Sequence, residues 1–162
     1  PAGVYVHFTS KEVLLFELSR RGHERARDLL VEAAAAAANP TEALRAIIGG
    51  FSRWHAEHYE LGRIVQFEFR HLRSEHRDAV LGLRKEIDQV VAGVLRDGVE
   101  AGEFAVTDVP ATALALLSMA IDVARWYTPD VRRTPAAIEA TYGELAVRLV
   151  RPGEALAASA LP

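Results

Sequence analysis

The chain has 162 residues, a formal net charge of −3, 50% hydrophobic and only 7% aromatic residues, and no cysteine. A single domain of this length removes about 70% of its extended-chain surface from water, enough for a sizeable core. Disulfides, thiolate zinc sites and a cysteine nucleophile are excluded, and the negative balance excludes nucleic-acid binding along the whole chain while leaving room for one local basic element. Alanine dominates, no strand-like alternation or internal repeat occurs, and an all-α fold of closely packed helices follows. The most apolar run, Val109 to Ile121, is too short to span a bilayer core of about 30 Å. With no signal-peptide pattern, the expectation is a cytoplasmic protein with no membrane partner.

The first element is a junction. In Val4-Tyr5-Val6-His7-Phe8-Thr9-Ser10-Lys11-Glu12-Val13-Leu14-Leu15, a short helix ends and a new one restarts near Ser10. Thr9 with Glu12 has the spacing of a reciprocal capping box. Tyr5, His7 and Lys11 offer hydrogen-bond donors on one side of this tight corner, a chemistry suited to phosphate oxygens. The pattern Tyr-x-His-Phe-x-Ser-Lys-Glu-x-Leu-Leu resembles the junction after the recognition helix in TetR-type transcriptional regulators, most specifically over residues 3–18. The resemblance implies that residues 1–20 are a remnant of a helix-turn-helix domain, with residues 21–152 as a TetR-like ligand-binding and dimerisation domain and 153–162 as a loose tail. It also implies backbone contacts to operator DNA from Tyr5, His7 and Lys11, with Ala2 and Gly3 close to base edges in the major groove. Phe8 is expected to pack within its own domain. The chain opens on Pro1, and the resemblance leads us to expect further DNA-reading helices before it.

From Ser10 to about Ala38, apolar residues recur at 14, 15, 18, 22, 26, 29, 30 and 33, which is helical spacing with one buried stripe. At 1.5 Å per residue this helix runs roughly 40 Å, long enough to link a DNA-reading head to a separate body or to serve in an ordinary bundle. Asn39-Pro40-Thr41-Glu42 supplies a cap, a proline at the first position and a carboxylate at the third for a second helix. Its stripe runs through Ala43, Leu44, Ile47, Ile48, Phe51, Trp54, His55, His58 and Tyr59. Gly49 and Gly50 in its middle predict close approach by another backbone, or a bend. Leu61-Gly62 reads as a break before a short helix from Arg63 to Leu72. Ser74 then caps a long helix through Glu100, with Val80, Leu83, Ile87, Val91 and Leu95 inward and Gly102 as its terminal glycine.

Asp108 and Pro110 open a helix that is apolar nearly all round from Val109 to Ile121, which requires cover on every side. Thr134-Pro135 begins the last helix, with Ile138, Tyr142, Leu145, Ala146 and Leu149 on one stripe. Too little chain remains to bury both closing helices, so a two-fold homodimer is expected. Its contact is expected through Leu114, Leu117, Ile121, Tyr142, Leu145 and Leu149.

No Walker loop, dinucleotide fingerprint or serine nucleophile elbow is present, so neither an enzyme nor a cofactor is expected. Trp54, His55, His58, Phe67, Arg70, His71, Asp122, Arg125 and Trp126 form the ligand-pocket candidate, because polar groups gather at the ends of apolar faces. Glu68 stands among them, and ion pairing between helices, such as Asp122 with an arginine, is the plainer reading of the same residues. A metal-binding bundle or enzyme using His55, His58, Glu68 and His71 is the alternative of a different class, although a di-iron centre needs a second Glu-x-x-His that the chain lacks; no metal site is therefore assigned. A dimerisation module without a ligand is a third reading. The segment Ile121-Asp122-Val123-Ala124-Arg125-Trp126-Tyr127, with the helix that follows, also resembles TetR-type regulators of lipid and aromatic catabolism that respond to acyl-CoA thioesters. This implies a repressor released by an effector with an apolar acyl part and an anionic part, the anion meeting Arg125 or Arg70.

Overall fold

The computed structural model describes Phe8 and residues 10–152, and every regular element among them is helical. Helix α1 spans Lys11–Ala36, α2 Pro40–Glu57 and α3 Tyr59–Glu68, the last followed by a single 3-10 turn at Phe69–His71. Helix α4 spans Ser74–Glu100, α5 Val109–Ile121, α6 Val123–Trp126 and α7 Pro135–Val150. The expected head–body boundary between residues 20 and 21 falls inside the unbroken α1.

Local chemistry fixes most of these ends. The Asn39 side chain accepts the Glu42 N–H at 2.8 Å, and the Glu42 carboxylate accepts the Ala38 N–H at 3.3 Å, so two orphan donors at the start of α2 are satisfied reciprocally. Asp108 and Thr134 cap α5 and α7 by accepting from Ala111 and Ala137. At the end of α4 the chain turns through Gly102 at φ +73°, and the Gly98 carbonyl accepts the N–H groups of Glu103 and Phe104 at 2.9 and 3.0 Å.

Two expectations are corrected here. Helix α1 is capped by Ser10, whose side chain accepts from Val13 N–H at 3.2 Å, and Thr9 lies outside the described residues. Among the described residues the Glu12 carboxylate serves a different purpose, because the start of α1 lies against the α3–α4 junction. Its Oε1 accepts the Arg73 N–H at 3.0 Å and meets His76 Nδ1 at 2.8 Å. Helix α3 also begins at Tyr59 rather than Arg63 and runs straight through Gly62. A Cβ at Gly62 would stand 2.8 Å from the Cβ of Ala124, so this glycine marks a close crossing with α6 and not a break.

Helix α2 is the centre of the molecule, with Leu44, Ile47 and Ile48 fully enclosed. Leu30 of α1, Val91 and Leu95 of α4, Leu116 of α5 and Val150 of α7 pack in the same core. The most extensive helix pair is α2 with α7. There, a Cβ at Gly49 would lie 2.7 Å from the Glu139 carbonyl oxygen, and a Cβ at Gly143 would lie 2.7 Å from the Arg45 carbonyl oxygen. Each backbone thus rests against a glycine of the other, which gives the close approach read from Gly49-Gly50; at Gly50 the nearest neighbour is the Leu29 side chain at 3.6 Å.

A smaller cluster of Ala56, Val123, Tyr127 and Ile138 sits where α6 turns towards α7. Arg63 holds that turn, donating to the carbonyls of Ala124 at 2.8 Å, Arg125 at 3.1 Å and Tyr127 at 2.7 Å, with its guanidinium 5.0 Å from the Tyr59 ring centre. The closing helices are incompletely covered within one subunit, since Leu114 is 63%, Leu145 41% and Leu149 66% exposed. Leu117 departs from the expected dimer contact. It is only 6% exposed and packs in the subunit's own core. Ile121 and Tyr142 are half-buried.

Candidate functional site

A cavity of about 930 Å³ opens among α1, α2, α3, α4 and α5. Gly22, His23 and Ala26 of α1 form one wall, Phe51, Trp54 and His55 of α2 the floor, and Leu61, Gly62 and Val65 of α3 a third side. Helix α5 closes it with Leu114, Leu117, Ser118 and Ile121. This explains why α5 is apolar all round, as one face meets the core and another an apolar hollow.

The sequence candidates divide sharply. Trp54 and His55 line the cavity, whereas His58, Phe67, Arg70, His71, Asp122, Arg125 and Trp126 do not. Asp122 and Arg125 bind each other through two hydrogen bonds of 2.6 and 2.9 Å on the surface. Their spacing on the last turn of the α5–α6 segment favours this local pair, and the pair holds the Asp122 carboxyl below its ordinary range. Arg70 lies 4.8 Å over the exposed Phe67 ring. Trp126 packs beside Tyr127, away from the hollow. His58 donates from the end of α2 back to the Trp54 carbonyl at 2.9 Å. Glu68 sits 3.4 Å from both Lys11 and His71, and among the described residues no group of three His, Asp or Glu side chains is placed to hold a metal ion. Ala2, Gly3, Tyr5 and His7 lie outside the described residues.

The sequence reading found His55 but missed His23 and Arg84, which also face the cavity. His23 donates from Nδ1 to the Ser19 carbonyl at 2.7 Å, which leaves Nε2 to accept from Arg84 Nε at 3.2 Å. Burial lowers the His23 pKa, the Ser19 carbonyl offsets part of this, and the Arg84 charge lowers it further. Burial likewise drives His55, whose Nδ1 donates to the Phe51 carbonyl at 2.9 Å, down to about 4. Both imidazoles are therefore neutral at pH 7.

Arg84 is the unusual member. Its guanidinium lies 4.1 Å over the Phe69 ring, and no carboxylate among the described residues comes within 4.0 Å of it. Arg20, Arg27, Arg53 and Arg125 all have acidic partners that raise their pKa, while burial pulls Arg84 the other way. Lys85 stands beside it at the lining, as do Asp88 and Asp108, the latter committed to capping α5. One signal for Arg84 was available in the sequence. It occupies a helical register position between Val80 and Ile87 on the inward stripe of α4, where a guanidinium needs a reason.

The structure is a helical body with an apolar hollow that touches a long first helix. Residues 37–150 match the family model described as tetracyclin repressor-like, C-terminal domain. A tetR-family bacterial regulatory protein from Rhodococcus RHA1 is 32% identical, with a TM-score of 0.85 over 93% of this chain and 80% of that one. The TetR-family transcriptional regulator PfmR from Thermus thermophilus is 31% identical, with a TM-score of 0.83 over 91% and 80%. The ketosteroid transcriptional regulator KstR2 of Mycobacterium tuberculosis shares the fold at 23% identity, TM-score 0.83, over 93% and 78%. The chain belongs to the TetR family of transcriptional regulators. No curated protein sequence matches it significantly.

Proposed function

We propose that this protein is a homodimeric repressor that works in the cytoplasm by binding rather than catalysis, and that a small amphipathic effector, an acyl-CoA thioester, releases it from operator DNA. The observation that carries the reading is the cavity of about 930 Å³ with apolar walls and one cationic corner. That volume lies at the upper end of ordinary ligand sites and suits an acyl chain with part of its carrier. Proteins of the same fold include AibR, solved with isovaleryl coenzyme A and operator DNA, and FadR from Bacillus subtilis, solved with stearoyl-CoA, each 22% identical to this chain.

Gly22, His23 and Ala26 place α1 itself in the cavity wall, so an effector touches the helix that leads to the DNA-reading head. The start of α1 is tied to the α3–α4 junction through Lys11 with Glu68 and Glu12 with Arg73 and His76, and Phe16 stacks on His76 with ring centres 3.8 Å apart. A ligand that favours one arrangement of α2, α3 and α5 tilts α1 and changes the separation of two heads, which must meet half-sites about 34–36 Å apart. It shifts that balance only by its differential affinity for the two states. Lys11, with Tyr5 and His7, meets the DNA backbone, and Ala2 and Gly3 approach the bases. The exposed Leu114, Leu145 and Leu149 provide the apolar surface for the second subunit. The test is operator binding by the protein with its recognition helices, with and without a panel of acyl-CoA thioesters. Weakened binding with at least one is expected, and equal affinity across the panel overturns the reading.

A further inference from the structure

We infer that Arg84, presented by His23 and Phe69, is the receptor for an anionic oxygen of the effector, and that the cavity therefore selects apolar-tailed anions over neutral molecules with the same tail. The inference deepens the effector reading and rests on it. Three elements build the corner: α1 supplies the His23 acceptor, the 3-10 turn after α3 supplies the Phe69 face, and α4 supplies the guanidinium. The ring supports one face of the guanidinium, and His23 takes only its Nε–H, 3.2 Å away. The terminal nitrogens make no hydrogen bond to a described residue and remain as a fork. Two parallel donors match the two oxygens of a carboxylate or phosphate.

The surroundings argue that the fork is there to be used. A half-buried cation without a counter-charge is costly to keep. His23 and His55 are neutral, Lys85, the other cation of the lining, is exposed and so screened by solvent, and Asp108, an acid that could have paired with Arg84, is occupied at the start of α5. Asp88 is the remaining acid in the lining and lies one turn along α4 without reaching Arg84. An anion at the fork supplies the missing counter-charge.

The test uses ligands with a common tail, namely decanoate, decanoyl-CoA and 1-decanol, titrated into the chain and into Arg84→Met by calorimetry and by the fluorescence of Trp54 in the cavity floor. Charge-assisted hydrogen bonds predict that at least one anionic probe binds the wild type roughly ten- to a hundredfold more tightly than decanol. In Arg84→Met this advantage falls to within about threefold while decanol still binds. Loss confined to decanoate identifies a carboxylate as the group received, and loss confined to decanoyl-CoA identifies the carrier's phosphates. If charged probes bind no better than decanol, or the Met variant keeps the preference, the receptor is refuted while the effector cavity stands. If none of the probes binds the wild type, the effector reading fails and takes the receptor with it. Should Arg84→Met fold poorly, Arg84→Lys keeps the charge without the fork and is expected to lose most of the preference; an unchanged preference there refutes the bidentate geometry.

Discussion

Adding the same methyl group at two helical glycines is expected to change stability with opposite signs. In Gly82→Ala the new Cβ meets nothing within 4 Å, so the substitution only removes the helix penalty of glycine and stabilises by about 0.5–1 kcal/mol. In Gly49→Ala the same gain is opposed by a Cβ 2.7 Å from the Glu139 carbonyl oxygen and 3.3 Å from its Cγ. Backbone cannot rotate out of the way as a side chain can, and overpacking of this kind costs about 1–3 kcal/mol. The net effect is a loss of roughly 0.5–2 kcal/mol, so the two variants separate by about 1–3 kcal/mol. At this chain length each kcal/mol moves the melting temperature by about 2–4 °C. Gly143→Ala should behave as Gly49→Ala does, because its Cβ meets the Arg45 carbonyl oxygen at 2.7 Å. The double variant should lose less than the sum, since one outward shift of α7 makes room for both methyls. Urea titration and calorimetric melting at a fixed chain concentration measure all the variants, the concentration mattering because any self-association contributes to apparent stability. Stabilisation by Gly49→Ala and Gly143→Ala equal to that by Gly82→Ala would refute the glycine-on-backbone crossing.

Arg63→Met removes the fork that satisfies the carbonyls of Ala124, Arg125 and Tyr127. Because the guanidinium is largely exposed, a loss of about 1–2 kcal/mol is expected, together with faster proteolysis after Tyr127; an unchanged melt contradicts the role. Leu149→Glu places a charge on a residue that is 66% exposed in one subunit, and light scattering should show a folded monomer, whereas an undiminished dimer would place the interface elsewhere. For pH, His55 falls from 6.5 to about 4 in the folded chain through burial, and His23 is lowered in the same direction. The unfolded chain therefore binds more protons between those values, so this stability is fully present above about pH 6.5 and is lost as pH falls towards 4. Each such group contributes up to about 1.4 kcal/mol per pH unit. His55→Gln should flatten the stability–pH curve over that interval by about one proton, and curves parallel to the wild type would show that His55 is not buried as a neutral imidazole.

Helix order was legible because punctuation and periodicity agreed: Asn39-Pro40, Asp108, Thr134-Pro135 and Gly102 all act where their chemistry predicts. Errors arose where a distant partner outcompeted a local one. Glu12 has the spacing of a capping residue but finds Arg73 and His76, far away in the chain, and Gly62 has the look of a breaker but is demanded by Ala124. The site was less legible for a similar reason. Polar residues at helix ends attract attention in a sequence, yet Asp122 with Arg125 and Arg70 with Phe67 satisfy one another at the surface. The groups facing the hollow, His23 and Arg84, sit in mid-helix among apolar neighbours. Periodicity can place Arg84 on the inward face; it cannot show the absence of an acidic partner.

The mutual glycine contacts between α2 and α7 have a mechanical consequence. Two backbones pressed carbonyl to glycine, with only the stems of Glu139 and Arg45 beside the contacts, resist sliding, because movement of one along the other forces oxygen into carbon. On the opposite side, α1, α3 and α4 meet through a guanidinium on an aromatic ring and a few ion pairs, contacts that can be exchanged one at a time and that lie on the path to the first residues of α1.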